Sequence, residues 1–154
     1  MENPRIQLLD CTLREAPINE LMWGDFYIKQ IINGLEKANI DIIECGFLKN
    51  DEYKFGSTSF HKAEELKKYL KNKKKDIIYT ALVDYGRYDL SNLVPYDGES
   101  IDAIRVCFKH NQIDEVIDYA NSIMNLGYKV CIQHVDTMGF SDFEIISFIE
   151  KIEF

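Results

Sequence analysis

The 154-residue sequence predicts an α/β fold built on a parallel sheet, and three observations predict it. Five short apolar, β-branched runs recur along the chain. A helix-period or turn-rich crossover follows each of them, and such strict alternation implies parallel strands joined by right-handed connections. The first run also empties into Asp10, Arg14 and Glu15, at the strand's C-terminal end, where parallel α/β folds gather their chemistry. Two architectures satisfy the alternation: an open doubly wound sheet of about five units, or part of a (β/α)8 barrel, which takes about 250 residues when whole. Length alone favours the open sheet.

The first strand is read over residues 6–9 as a buried apolar segment. Residues 24–39 follow as an amphipathic helix, with Ile28, Ile31, Ile32 and Leu35 at helical spacing. Residues 40–47 form the second strand, ending at Gly46 and a polar loop that runs to Ser59. Its Glu44 is a charge that a buried strand carries only when something pairs with it. Residues 61–71 predict a second helix, with Ala63, Leu66 and Leu70 on one side and lysines on the other, and residues 76–83 a third strand. The crossover over 87–100 is the least regular, with turns at Pro95 and Gly98 and a short helical piece near 90–93. Residues 101–108 are the fourth strand, 112–126 a helix stopped by Gly127, 128–135 the fifth strand, and 142–152 a helix capped by Ser141.

At 46% hydrophobic and 29% charged, residues 1–154 read as one soluble domain with a single core. The net charge of -8 argues against nucleic acid or an anionic membrane as the main partner, since both select a basic face. The lysine cluster over 67–75 reads as a solvated helix end. No apolar run approaches the ~20 residues of a membrane span, and Met1-Glu2-Asn3-Pro4 has no signal-peptide pattern, so the expected address is cytoplasmic. Cys11, Cys45, Cys107 and Cys131 are widely spaced without a C-x-x-C pair, and read as reduced thiols packed in or beside strands.

The stretch Asp10, Thr12, Leu13, Arg14 resembles the D-x-T-L-R-D-G motif that opens the barrel of the DRE-TIM metallolyases, the aldolases and lyases related to 3-hydroxy-3-methylglutaryl-CoA lyase, isopropylmalate synthase and 4-hydroxy-2-oxovalerate aldolase. Glu15 stands where that family has its metal-binding Asp, and Ala16 where it has Gly. Trp23-Gly24-Asp25-Phe26 and Ile43-Glu44-Cys45-Gly46-Phe47 are similar to the aldolase-like branch, as are Ile104-Arg105-Val106 and Gly127-Tyr128-Lys129-Val130. The resemblance implies a partial TIM barrel, about five of eight β-α units, with residues 1–154 as its N-terminal part. Such a piece would present two open sheet edges, which proteins normally cover or pair; self-association through them, a sheet that curls less than a true barrel, or a chain that continues beyond Phe154 would each manage them.

The resemblance further implies a divalent-metal-dependent aldolase or lyase that breaks or forms a carbon–carbon bond of a small 2-oxo acid through an enolate. In that scheme Arg14 stabilises the enolate oxygen, Glu44 orients Arg14, Asp10 belongs to the catalytic set and Glu15 is the metal ligand. The extra methylene of Glu15 moves its carboxylate by roughly 1.5 Å, so Mg or Mn is expected to bind weakly or not at all. The family's H-x-H ligands are missing, since His61, His110 and His134 form no such pair, and the isolated chain is expected to be an incomplete or inactive enzyme. His134, on the fifth strand, is the one histidine that could face the site.

Two other readings remain. Asp10, Arg14, Glu15 and Glu44 would also make a buried ion-pair network that only ties the first two strands together, leaving a noncatalytic module that binds an anion or a partner through Arg14 and Lys109. An open-sheet signalling receiver finds a partial imitation in Asp84 with Lys129 or Lys109, though Lys129 begins its strand. Arg105 is assigned no task.

Overall fold

The computed structural model describes residues 6–19, 21–109 and 112–152; His110 and the Met1–Pro4 segment lie outside them. Strands β1 (Leu9–Asp10), β2 (Ile42–Leu48), β3 (Ser59–Phe60), β4 (Ile78–Asp84), β5 (Ala103–Phe108) and β6 (Lys129–His134) form one parallel sheet in the order β1-β2-β4-β5-β6. β3 pairs with the far end of β2, so β1 and β3 share that strand's outer edge. The helices are α1 (Thr12–Glu15), α2 (Gly24–Lys37), α3 (Ile113–Asn125) and α4 (Asp142–Ile152).

Strand order decides between the two architectures. Each new strand is added on the same side of the last, so right-handed crossovers carry every connection over the same face, and the sheet curls. A doubly wound sheet, the receiver included, needs that order to reverse. The protein is a half-barrel of alternating strands and helices.

The two faces of the sheet differ as the pleat requires. Ile43 and Cys45 of β2, Tyr79, Ala81 and Val83 of β4, and Ile104, Val106 and Phe108 of β5 point into one core with Ile28 and Ile32 of α2 and Val116 and Ile123 of α3. Each of these side chains buried in full contributes about 2 kcal/mol. The alternate positions face the inside of the curl: Glu44, Thr80, Leu82, Asp84, Arg105, Cys107, Cys131 and Gln133. Chain ends of helices follow the sequence signals. Gly127 closes α3 with φ +92°, and Ser141 and Glu144 form a reciprocal cap on α4, with the Ser141 hydroxyl 2.7 Å from the Glu144 carboxylate.

Four expectations are corrected. The buried first strand over 6–9 is an exposed edge: Leu8 is 60% and Leu9 37% exposed, because among the described residues β1 pairs on one side only. The helix expected over 61–71 is a 3-10 turn, Ala63–Leu66, with further turns after it. Ala63, Leu66 and Tyr69 are all buried at a spacing of three, which matches the 3-10 repeat rather than the α-helical one. The lysines there are not simply solvated. Lys68 donates to both Asp25 oxygens at 3.0 and 2.9 Å among the rings of Tyr53, Phe55 and Tyr69, and Lys73 donates to Ser100 O at 2.6 Å and contacts Asp102. Of the cysteines, Cys45 and Cys107 are buried as expected, while Cys131 is exposed on the inner face.

Among the described residues, no helix is long and apolar enough to cross a membrane.

Candidate functional site

The inner face carries one fully buried charge, Glu44, and two arginines converge on it. Arg14 Nε donates to Glu44 Oε1 at 2.7 Å. From two strands away Arg105 places Nε 2.7 Å from Oε2 and donates from Nη2 to Oε1 at 3.1 Å. Arg14 also pairs with Glu15, whose carboxylate is half exposed at the mouth. The arginine side chains are 14% and 16% exposed, so each keeps an edge open to the inside of the curl.

Local structure holds Arg14 where it is. Asp10 ends β1 and accepts from the Thr12 N–H at 3.0 Å and its hydroxyl at 3.1 Å, turning the chain into α1. Thr58, fully buried, donates its hydroxyl to Leu13 O at 2.7 Å, and its own carbonyl accepts from Phe47 N–H at 2.9 Å. That second bond needs Gly46: a Cβ there would lie 2.2 Å from Thr58 O. The pairing register of β2 also shifts between Glu44 and Phe47. β3 therefore acts as a clasp, joining the bulge after Glu44 to the turn that presents Arg14.

Burial pushes the Glu44 carboxyl above its ordinary value, further than Arg105 and Arg14 pull it down. Arg14 at the mouth loses less to burial, and the hydrogen bond and charge of Glu44 raise it. The cost of the network thus falls on its innermost member. Such a carboxylate adds little stability, and it holds the two guanidinium groups in fixed positions on the inner face.

No protein-family model matches the chain, nor does any curated protein. A solved structure does: the N-terminal domain of a protein from Bacteroides vulgatus proposed to be an aldolase, with a TM-score of 0.66 at 19% identity over 96% of this chain. What is shared is the fold. The chain spans half the length of that solved chain.

Of the expected site residues, Arg14, Glu15 and Glu44 come together. Asp10 stands apart from them as the cap of the turn. Arg105 is the member that sequence reading missed; its signal was a charge in the middle of a strand, two residues from Cys107, at a position whose parity matches Glu44. His134 is corrected in the other direction. The pleat places it with Val130 and Ile132 on the helix face, its ring 4.8 Å from Phe108 and 3.8 Å from Phe140, away from the site. Cys107 is a neighbour of the cluster: its thiol donates to Asp84 Oδ1 at 3.6 Å and is pushed up to about 12 by burial and by the Asp84 charge.

A divalent cation needs several oxygen or nitrogen ligands around one point. Among the described residues no group of three or more His, Cys, Asp or Glu side chains converges. These residues by themselves do not fit the cation that the resemblance implies.

Proposed function

We propose that this half-barrel is the N-terminal part of an aldolase or lyase that makes or breaks a carbon–carbon bond of a 2-oxo acid through an enolate. The observation that supports it is the gathering of Arg14 and Arg105 around one buried carboxylate on the inner face. When the bond next to the enolisable carbon breaks, its electron pair moves onto the 2-oxo oxygen. The N–H groups of Arg14 not engaged by Glu44 and Glu15 meet that oxyanion, and a guanidinium fork does so with two donors. Arg105 offers the second cation for the substrate carboxylate. Glu44 positions both, and Asp10 acts through the turn it caps.

Mg or Mn remains the expected cofactor in this reading, with Glu15 as its ligand and weak or no binding on these residues alone. The isolated chain is accordingly expected to turn over oxaloacetate or a 4-hydroxy-2-oxo acid poorly or not at all. Self-association through the open edges, where Leu8, Leu9 and Val135 are exposed, belongs to the same reading.

Oxalate, a planar dianion shaped like the pyruvate enolate, is the direct probe. Calorimetric titration should show binding that Arg14→Lys weakens about tenfold, because the fork is lost while the charge stays. Absence of binding at millimolar oxalate sinks the proposal. A second reading, a noncatalytic anion-binding module, is favoured by the two guanidinium groups on the inner face, which can hold an anion without a metal. It predicts oxalate binding with no rise in melting temperature on adding Mn(II), whereas a rise that Glu15→Gln removes supports the lyase.

A further inference from the structure

Beside the arginine cluster lies a cleft of about 520 Å³ whose walls include Ile18, Phe47, Lys49, Asp51, Asp84 and Arg87. It opens at the C-terminal ends of β2 and β4, while Leu82, which pairs with both Phe47 and Arg105, links it to the cluster. Ile18 follows α1 by three residues, Phe47 pairs with Leu82 on the inner face, and Asp84 accepts the thiol of Cys107, which feels the charges of Arg105 and Arg14. A ligand whose head meets Arg14 would extend into this cleft.

We infer that the cleft receives the tail of the substrate and that the tail is an uncharged, hydroxylated chain; the inference rests on the reading of Arg14 and Arg105 as the site of the 2-oxo acid head. The wall chemistry selects the class. Two carboxylates, Asp51 and Asp84, stand with two cations, Lys49 and Arg87, so an anionic or a cationic tail would meet like charges on one side. A hydroxyl donates to a carboxylate and accepts from an ammonium or guanidinium at once, and satisfies both. Phe47 and Ile18 supply an apolar patch for the C–H side of such a chain, as ligand clefts generally combine apolar walls with a few convergent polar groups. The polar walls are also available. Arg87 pairs with Asp84 only at 3.2 Å and is 74% exposed, and Lys49 rests over the Phe47 ring at 4.9 Å.

The test compares two probes on the full chain by calorimetric titration or ligand-observed NMR: pyruvate, which is all head, and 2-oxo-3-deoxygluconate, which carries the same head on a hydroxylated tail. The hydroxylated probe should bind about tenfold tighter, the yield of a pair of ordinary hydrogen bonds. Asp84→Asn, and independently the surface change Lys49→Gln, should bring it back toward pyruvate while leaving pyruvate unchanged. Two variants guard against one that folds badly. Equal affinity for the two probes, or an advantage that survives both substitutions, overturns the tail site while the head site stands. Failure of both probes to bind removes the head site and this inference with it.

Discussion

Replacing Gly46 by Ala tests whether the β2–β3 clasp holds the arginine turn. The new Cβ would sit 2.2 Å from Thr58 O and 2.8 Å from a Phe60 ring carbon, well inside ordinary contact. The ring can tilt, but the carbonyl is backbone and must retreat by roughly 1 Å to reach an unstrained separation. That retreat breaks the Phe47 N–H bond to Thr58 O and loosens the Thr58 hydroxyl from Leu13 O. Two buried hydrogen bonds at about 1 kcal/mol each, with about 1–3 kcal/mol of overpacking, sum to a loss of about 3–5 kcal/mol. For a chain of this length the midpoint should fall by roughly 6–20 °C in a thermal melt followed by circular dichroism. Gly34→Ala is the control. Gly34 lies mid-α2 with open space around it, so the same substitution should raise stability by about 0.8 kcal/mol through helix propensity. A Gly46→Ala melt within about 2 °C of the wild type would refute the clasp, since nothing else in the argument absorbs a lost hydrogen bond.

Thr58→Val keeps the shape but leaves Leu13 O without its buried donor, and urea unfolding should show a loss of about 1–2 kcal/mol together with weaker oxalate binding. Because the folded Glu44 carboxyl lies above its ordinary value, its contribution is fully present below the ordinary carboxylate range and is lost as pH rises through the folded value. The stability of Glu44→Gln relative to wild type should therefore climb with pH on that limb; parallel pH profiles would contradict the burial argument. Asp25 shifts the opposite way. Burial alone would raise it, but Tyr69 and Lys68 hold it below the usual range, so Asp25→Asn should lose stability at neutral pH and flatten the acid limb of the melting profile. If the open edges pair in solution, light scattering should give a mass above one chain that Leu8→Lys lowers; a strictly monomeric wild type would end that expectation.

Much of the scaffold was legible because it is written in short spacings. The helical repeat of Ile28, Ile31, Ile32 and Leu35, the β-branched runs, Gly127 after α3 and Ser141 before α4 are local patterns, and local patterns need no knowledge of the partner. A charge inside an apolar strand demands an opposite charge nearby, so Glu44 announced that it has a partner, and the resemblance of the first two strands to the aldolase-like branch pointed to Arg14. Arg105 falls under the same rule, but its partner lies 61 residues away, and only register shows that the two face the same side. The lysines over 67–75 misled because a solvated helix face and a set of internal tethers have the same composition.

By itself the sequence determined the alternation of strands and helices and the stops between them, since each depends on neighbours a few positions apart. Tertiary structure alone decided the direction of curl, the conversion of a predicted helix to a 3-10 turn, the exposure of the first strand and the face on which His134 lies. Those depend on which strand is added beside which, and that choice is made by contacts between segments far apart in the chain, where the two-residue period of a strand says that sides alternate but not which side is in.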